Sequence, residues 1–179
     1  MTGEHSGKHH GSAQSATPRL IRYEHGITAI DAQYVRVGLA AVHIIEHNGK
    51  AAFVDTGANH SVPYLLAALQ ELDLAPAAVE YVFLTHVHLD HAGGAGQLMR
   101  ALPNARAVLH PRGAPHMIDP AKLIAGSMGV YGEAEFQLLY GELVPIAADR
   151  VVVTEDGQQL SLAGRVFEFL HTPGHALHH

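Results

Sequence analysis

The chain has 179 residues, the size of one domain, and 47% of them are hydrophobic, which supports a packed core and excludes a disordered protein. There are no cysteines, which excludes disulfides and thiolate metal sites, so any metal must sit on His, Asp or Glu. The formal net charge is -6 with 11 Lys and Arg and no basic cluster, which argues against a nucleic-acid surface. No apolar run approaches the ~20 residues of a membrane span. The 16 histidines stand out, and they make the net charge rise steeply below about pH 6.5.

The opening stretch "MTGEHSGKHHGSAQSATPRL" lacks the apolar core of a secretory signal. Residues 1–19 therefore read as a polar, flexible tail, in which His5, His9 and His10 could bind stray metal, and residues 20–179 read as one domain. A cytoplasmic location is expected. The stretch "LIRYEHGITAIDAQYVRVGLAAVHIIEHNGKAAFVDTG" is rich in Val, Ile and Tyr and reads as strands. Asn48-Gly49 suits a tight hairpin turn, and Gly57 permits a sharp turn after Asp55.

A helix is expected next, with Ser61 as N-cap, Pro63 in its first turn, and Leu65, Leu66, Leu69 and Leu72 along one face. "VEYVFLTH" reads as a strand buried on both faces. "AGGAGQLMRALPN" reads as a helix ending before Pro103, and "ARAVLH" as another strand. From Gly38 to His110 the order is β-β-α-β-loop-α-β, which argues for an α/β layered fold. The stretch from Pro111 to Leu143 reads as mostly helical, an insertion over one edge of the sheet. Three more strands are expected in "RVVVTEDGQQLSLAGRVFEFLH", with turns at Asp156-Gly157 and Ala163-Gly164.

The chemistry concentrates in "THVHLDHAGG". In an extended segment alternate residues face the same way, so His86 and His88 can share one metal. Asp90 and His91 follow a turn and can face a second metal. Zinc accepts imidazole nitrogen and carboxylate oxygen readily. The two glycines let the backbone pass close to the ions and start a helix. In "FLHTPGHALHH" the Pro173-Gly174 turn presents His175 at a strand end, as a third imidazole for the ion of His86 and His88. His171 is either a buried, hydrogen-bonded histidine or a ligand. His178 and His179 are ligands, supporting groups or frayed residues.

"THVHLDHAGG", preceded by "FVDTG" and followed at a distance by "HTPGH", resembles the metallo-β-lactamase superfamily, and more closely its glyoxalase II-like hydrolases. The resemblance runs from near Ile21 to the last residue. It implies an αββα sandwich with metals at one edge, between the sheets. It also implies that His86, His88 and His175 form a first metal site and that Asp90 and His91 belong to a second. Asp55 would support the metal-binding loop by orienting a histidine. Two zinc ions are the implied cofactors, with iron or manganese as alternatives. The implied activity is metal-dependent hydrolysis of a small-molecule ester, thioester or lactam-like carbonyl by metal-bound hydroxide, with Asp90 orienting or deprotonating the water.

Members of that family continue past the "TPGH" segment to a bridging aspartate and a last histidine, for which this chain has no positions. Glu133, Glu142, Asp149 and Asp156 lie in the wrong place to replace them. The C-terminal part of the sandwich is therefore expected to be missing. The inner face of the first half would be exposed and promote self-association. His178 or His179 would substitute as a ligand only by folding back over the site. The alternative reading is a non-catalytic metal-binding fragment or subunit. His110 and His116 could line a substrate cleft or be loop residues. Tyr131 and Tyr140 could reach substrate or pack on a helix face. His43, His47 and His60 read as surface or half-buried histidines, His60 being nearest the site.

Overall fold

The computed structural model describes residues 16–179. The expected tail over 1–19 lies mostly outside these residues, together with His5, His9 and His10, and the first strand starts at Leu20. Seven strands form one sheet in sequence order: β1 (Leu20–Arg22), β2 (Ile27–Asp31), β3 (Ala41–His47), β4 (Lys50–Val54), β5 (Val79–Phe83), β6 (Arg106–Leu109) and β7 (Val151–Val153). Pairings from β1 to β4 are antiparallel, and those from β4 to β7 are parallel. Asn48 and Gly49 both take positive φ in the β3–β4 turn, as a two-residue hairpin of this type requires.

The parallel half is connected by helices. α1 (Val62–Glu71) links β4 to β5, and α2 (Leu89–Ala92) and α3 (Ala95–Ala101) link β5 to β6. Between β6 and β7 lie α4 (Ala114–Ile118), α5 (Ala121–Tyr131) and α6 (Glu133–Tyr140). A second, two-stranded sheet follows, from β8 (Gln158–Leu162) and β9 (Arg165–Phe169).

Strand side chains alternate between two layers. Ala51, Phe53, Val82, Ala107 and Leu109 point to the helices, where they join Leu65, Leu69, Leu98 and Leu102. Ala52, Phe83 and Val108 point the other way and meet Leu160, Leu162, Phe167 and Phe169 of the β8–β9 hairpin. The Phe83 ring lies 5.1 Å from that of Phe167 and 5.3 Å from that of Phe169. The inner face of the central strands is thus covered by the hairpin rather than left open. Val153, Val166, Leu170 and Leu177 are among the apolar side chains that stay exposed.

Three further expectations are modified. Residues 32–40 form a loop, not a strand, because the Asp31 carboxylate accepts from the backbone N–H of Gln33 and of Gly38, both at 2.9 Å, and folds the segment back on itself. Ser61 is the N-cap position of α1, but its hydroxyl donates to the Ala32 carbonyl at 2.5 Å instead of capping the helix. The helical insertion does not sit on an edge strand through α5 and α6: Phe136, Tyr140 and Leu143 pack on Ala58 and Leu89, at the loop end of the sheet. Gly132, at φ 78°, divides the two helices.

Arg150 fastens the end of α3. Its guanidinium donates to the carbonyls of Met99 (2.9 Å), Leu102 (2.5 Å) and Ala105 (2.6 and 3.1 Å). Cationic donors satisfy the free carbonyls of a helix C-terminus and complement its dipole. Arg150→Met keeps the stem and removes the donors. It should cost about 2–3 kcal/mol and lower the melting temperature by roughly 5–10 °C. Thermal unfolding followed by circular dichroism checks this, and a melting point within about 1 °C of the parent would refute it.

Candidate metal centre

The site lies where the parallel strands end. Asp55 follows β4, Thr85 and His86 follow β5, His110 follows β6 and Thr154 follows β7. Open α/β sheets place ligands outside the carboxyl ends of such strands, where connections diverge and backbone groups are free.

Asp55 organises this end. It is buried, with φ 61°, a left-handed conformation that aspartate tolerates better than most residues. Its carboxylate accepts from the Thr85 backbone N–H (2.9 Å), from the Thr85 hydroxyl (3.0 Å) and from His91 Nδ1 (2.8 Å). The Thr85 hydroxyl proton is thereby engaged, so its oxygen accepts at 3.0 Å from Nδ1–H of His86. This fixes both tautomers. His86 and His91 each carry their proton on Nδ1 and present an Nε2 lone pair. Sequence reasoning expected Asp55 to orient a histidine. It overlooked Thr85, whose signal was its place directly before the first histidine of the motif.

The motif loop is stitched to the loop after β4. Thr56 donates from its backbone N–H (2.7 Å) and its hydroxyl (3.0 Å) to the His91 carbonyl, and Gly94 N–H donates to the Gly57 carbonyl at 2.9 Å. A Cβ on Gly94 would lie 2.8 Å from the Ala58 carbonyl oxygen. The motif glycines therefore serve a close backbone approach to residues 56–58. His88 has extended backbone and caps α2, so Asp90 and His91 sit on a helical turn one step beyond it.

The structure brings His86, His88 and His175 together: one nitrogen from each lies within 4.8 Å of the other two. His88 Nδ1 and His175 Nε2 are 3.0 Å apart. His86 is 3% exposed, and its Nε2 is buried without any hydrogen-bond partner. Buried polar atoms are rarely left so. An unpartnered lone pair facing two further imidazoles fits a tetrahedral cation such as zinc, and the donor set is one that zinc uses. Asp90 and His91 lie beside this trio, with Oδ2 and Nε2 3.5 Å apart, and the His91 ring centre is 4.2 Å from that of His86.

The remaining histidines divide. His178 and His179 fold back onto the site, with ring centres 6.3 and 5.2 Å from that of His86. His171 is held by Thr154, whose carbonyl lies 3.0 Å from Nε2, and by Asp156 through its backbone N–H. His110 stacks on His171 at 4.2 Å, and its Nδ1 accepts from the Arg112 N–H. His116 is half-buried on α4. With Thr85, Phe169 and His179, His110 and His171 line a cavity of about 260 Å³ beside the trio. Tyr140 packs in the helical insertion and receives a 3.3 Å hydrogen bond from Tyr34, while Tyr131 is half exposed next to it. His43 and His47 stay on β3, and His60 is exposed.

Burial pushes the His86 pKa down to about 4, helped by the nearby charges of His91 and His88. Burial and then His175 lower that of His88. The Asp55 hydrogen bond raises that of His91. Two of the trio, His86 and His88, are therefore neutral at neutral pH. The His86 shift also makes a stability prediction for metal-free protein. Between about pH 6.5 and 4 the unfolded chain binds a proton that folded His86 refuses, so stability falls with pH across that window, by about 3 kcal/mol from this group. His91 works in the opposite sense: its raised pKa favours the fold at low pH, and that contribution is lost as pH rises through the folded value. Urea unfolding of the metal-free protein should give a lower midpoint at pH 5 than at pH 7. An unchanged or higher midpoint at pH 5 would contradict it.

A two-layered α/β fold with three imidazoles and a carboxylate-bearing turn at the strand ends defines an α/β protein with a candidate metal centre. A family profile described as the metallo-β-lactamase superfamily matches residues 35–179, and the chain belongs to that superfamily. A hydroxyacylglutathione hydrolase of Klebsiella pneumoniae is 34% identical over 136 residues, which are 75% of this chain and 38% of that enzyme. A metallo-β-lactamase fold-containing protein of Sulfurisphaera tokodaii is 26% identical over 79% of this chain and 51% of its own. Among solved structures, a HARLDQ-motif mutant metallo-β-lactamase from Cronobacter sakazakii superposes with TM-score 0.66 at 22% identity, covering 91% of this chain and 57% of its own. The metallo-β-lactamase MIM-1 from Novosphingobium pentaromativorans gives 0.65 at 21%, covering 92% and 54%. The chain thus spans about two fifths to one half of the length of these curated relatives. Its fold is the expected α/β metallo-β-lactamase fold, with the second sheet represented by β8 and β9.

Proposed function

We propose that this chain carries the metal-holding part of a hydrolase that cleaves acyl substrates, thioesters foremost. The observation that carries this reading is the buried, partnerless Nε2 of His86 set against His88 and His175. His86, His88 and His175 would hold a first divalent ion, zinc by the chemistry of the set, and Asp90 with His91 would contribute to a second. Such an ion supplies Lewis-acid activation of water and of the substrate carbonyl. Asp55 would keep His86 and His91 in the tautomer that frees Nε2, and Asp90 Oδ2 would orient the attacking water and take its proton. The relatives named hydroxyacylglutathione hydrolase favour a thioester. The domain is taken as residues 20–179, preceded by a tail, in a cytoplasmic protein. Self-association would run through the apolar rim of Val153, Leu170 and Leu177.

The test loads purified protein with zinc and follows loss of a hydroxyacylglutathione thioester, with lactone and β-lactam substrates alongside. Turnover that disappears on chelation supports the reading. A second reading has its own observation: among the described residues one group of three or more His, Asp and Glu side chains is gathered closely enough to hold an ion, His86, His88 and His175, and Asp90 and His91 are not part of it. This second reading is a metal-binding unit without catalysis, and it predicts bound zinc with no turnover of any of these substrates.

A further inference from the structure

The motif's residues leave one well-placed imidazole unused. Val87 lies between two of the proposed ligands, and its backbone N–H donates to Nδ1 of His178 at 3.3 Å. The His178 ring lies parallel to His86, with centres 6.3 Å apart and an interplanar angle of 14°. It also stands edge-on to His88, at 5.5 Å and 88°. A ring nitrogen that accepts from a main-chain N–H cannot also carry a proton, because two donors would then oppose each other. His178 is therefore a neutral imidazole with its proton on Nε2. Among the described residues, nothing accepts from that N–H.

We propose that His178 is a catalytic residue whose Nε2–H donates to the developing carbonyl oxyanion of an acyl substrate bound beside His86 and His88. The assignment rests on the hydrolase reading above and adds a residue to it. A donor fixed in advance by the backbone reorganises little during the reaction, which is what makes such groups effective. The bland alternative is a latch, in which His178 only satisfies the Val87 N–H. Asparagine separates the two, since its side-chain oxygen can take the place of Nδ1 while nothing replaces Nε2–H.

The experiment compares the parent, His178→Asn and His178→Ala as cobalt-loaded proteins. Each is titrated with acetate, a carboxylate stand-in for the acyl oxygens, and followed by visible absorption. The expected result is acetate binding about ten-fold weaker in both variants, with the melting temperature of His178→Asn near that of the parent. Equal acetate affinity in His178→Asn and the parent would overturn the proposal and leave the latch. Nitrogen-15 spectra of histidine-labelled protein, with His178 assigned by its loss in the variant, give an arm that needs no metal. A neutral ring protonated at Nε2 supports the proposal, and a proton on Nδ1 overturns it. A parent protein that shows no cobalt bands would overturn the metal reading itself, a result distinct from bands with unchanged acetate affinity.

Discussion

His86→Ala is expected to abolish tight binding of the first metal and, with it, any hydrolysis. His86 is the most buried of the three gathered imidazoles and the one whose free nitrogen has no partner. Removing it leaves His88 and His175, a half-exposed and an exposed side chain that lose the inner corner of the site. The loss in zinc affinity should exceed the ~10–100-fold that follows from removing a mere supporting partner of a ligand. The metal-free variant should fold, because the lost side chain makes one hydrogen bond, to the Thr85 hydroxyl, and its removal deletes a buried imidazole that burial already disfavours charging. Competition titration against a zinc chelator measures the affinity, and circular dichroism confirms the fold. Zinc held as tightly by the variant as by the parent would remove His86 from the metal site.

Asp55→Asn should produce the second large effect without touching a ligand. Asparagine tolerates the left-handed backbone at φ 61°, so the change isolates the carboxylate. The carboxylate accepts from three donors and gives none. An amide must turn its NH2 toward the donors on one side, so either the Thr85 or the His91 contact is broken. We expect a loss of about 1–3 kcal/mol in stability from the unsatisfied group, and a ~10–100-fold drop in metal affinity as His86 and His91 lose their fixed tautomers. The His91 pKa, raised chiefly by this hydrogen bond, should fall. A proton titration of His91 in both proteins reads that fall directly. An unshifted His91 together with unchanged metal affinity would mean that Asp55 is only a turn residue.

Much of the candidate site was legible in one stretch of ten residues. The alternation of His86 and His88, the turn after them and the glycines behind are local features, and local geometry follows from residue type and spacing. The Pro173-Gly174 turn marked His175 in the same way. What the stretch left open was how the imidazoles are held. The relay to His86 begins with Thr85 bonded to Asp55, 30 positions away, and it depends on β4 and β5 pairing in parallel with Val54 opposite Phe83. The glycines start the next helix as expected, with Gly94 at its N-cap, and they have a further role. They let the motif approach residues 56–58, a contact that no periodicity within the motif could display.

What covers the sheet's inner face is not legible in the sequence for a related reason. β8 and β9 were recognised as strands by their turns, but a strand's apolar face does not say which surface it will meet. Packing of Leu162, Phe167 and Phe169 on Ala52, Phe83 and Val108 decided it. The sequence by itself determined the class of the fold, the order of most of its elements and a candidate set of metal donors, because hydrophobic period, turn residues and imidazole chemistry are properties of short segments. The tertiary structure alone decided how closely His175 approaches His86 and His88, that Asp55 governs two rings at once, and that His178 and His179 return to the site. Those are distances between segments far apart in the chain, and they are fixed by sheet register and core packing.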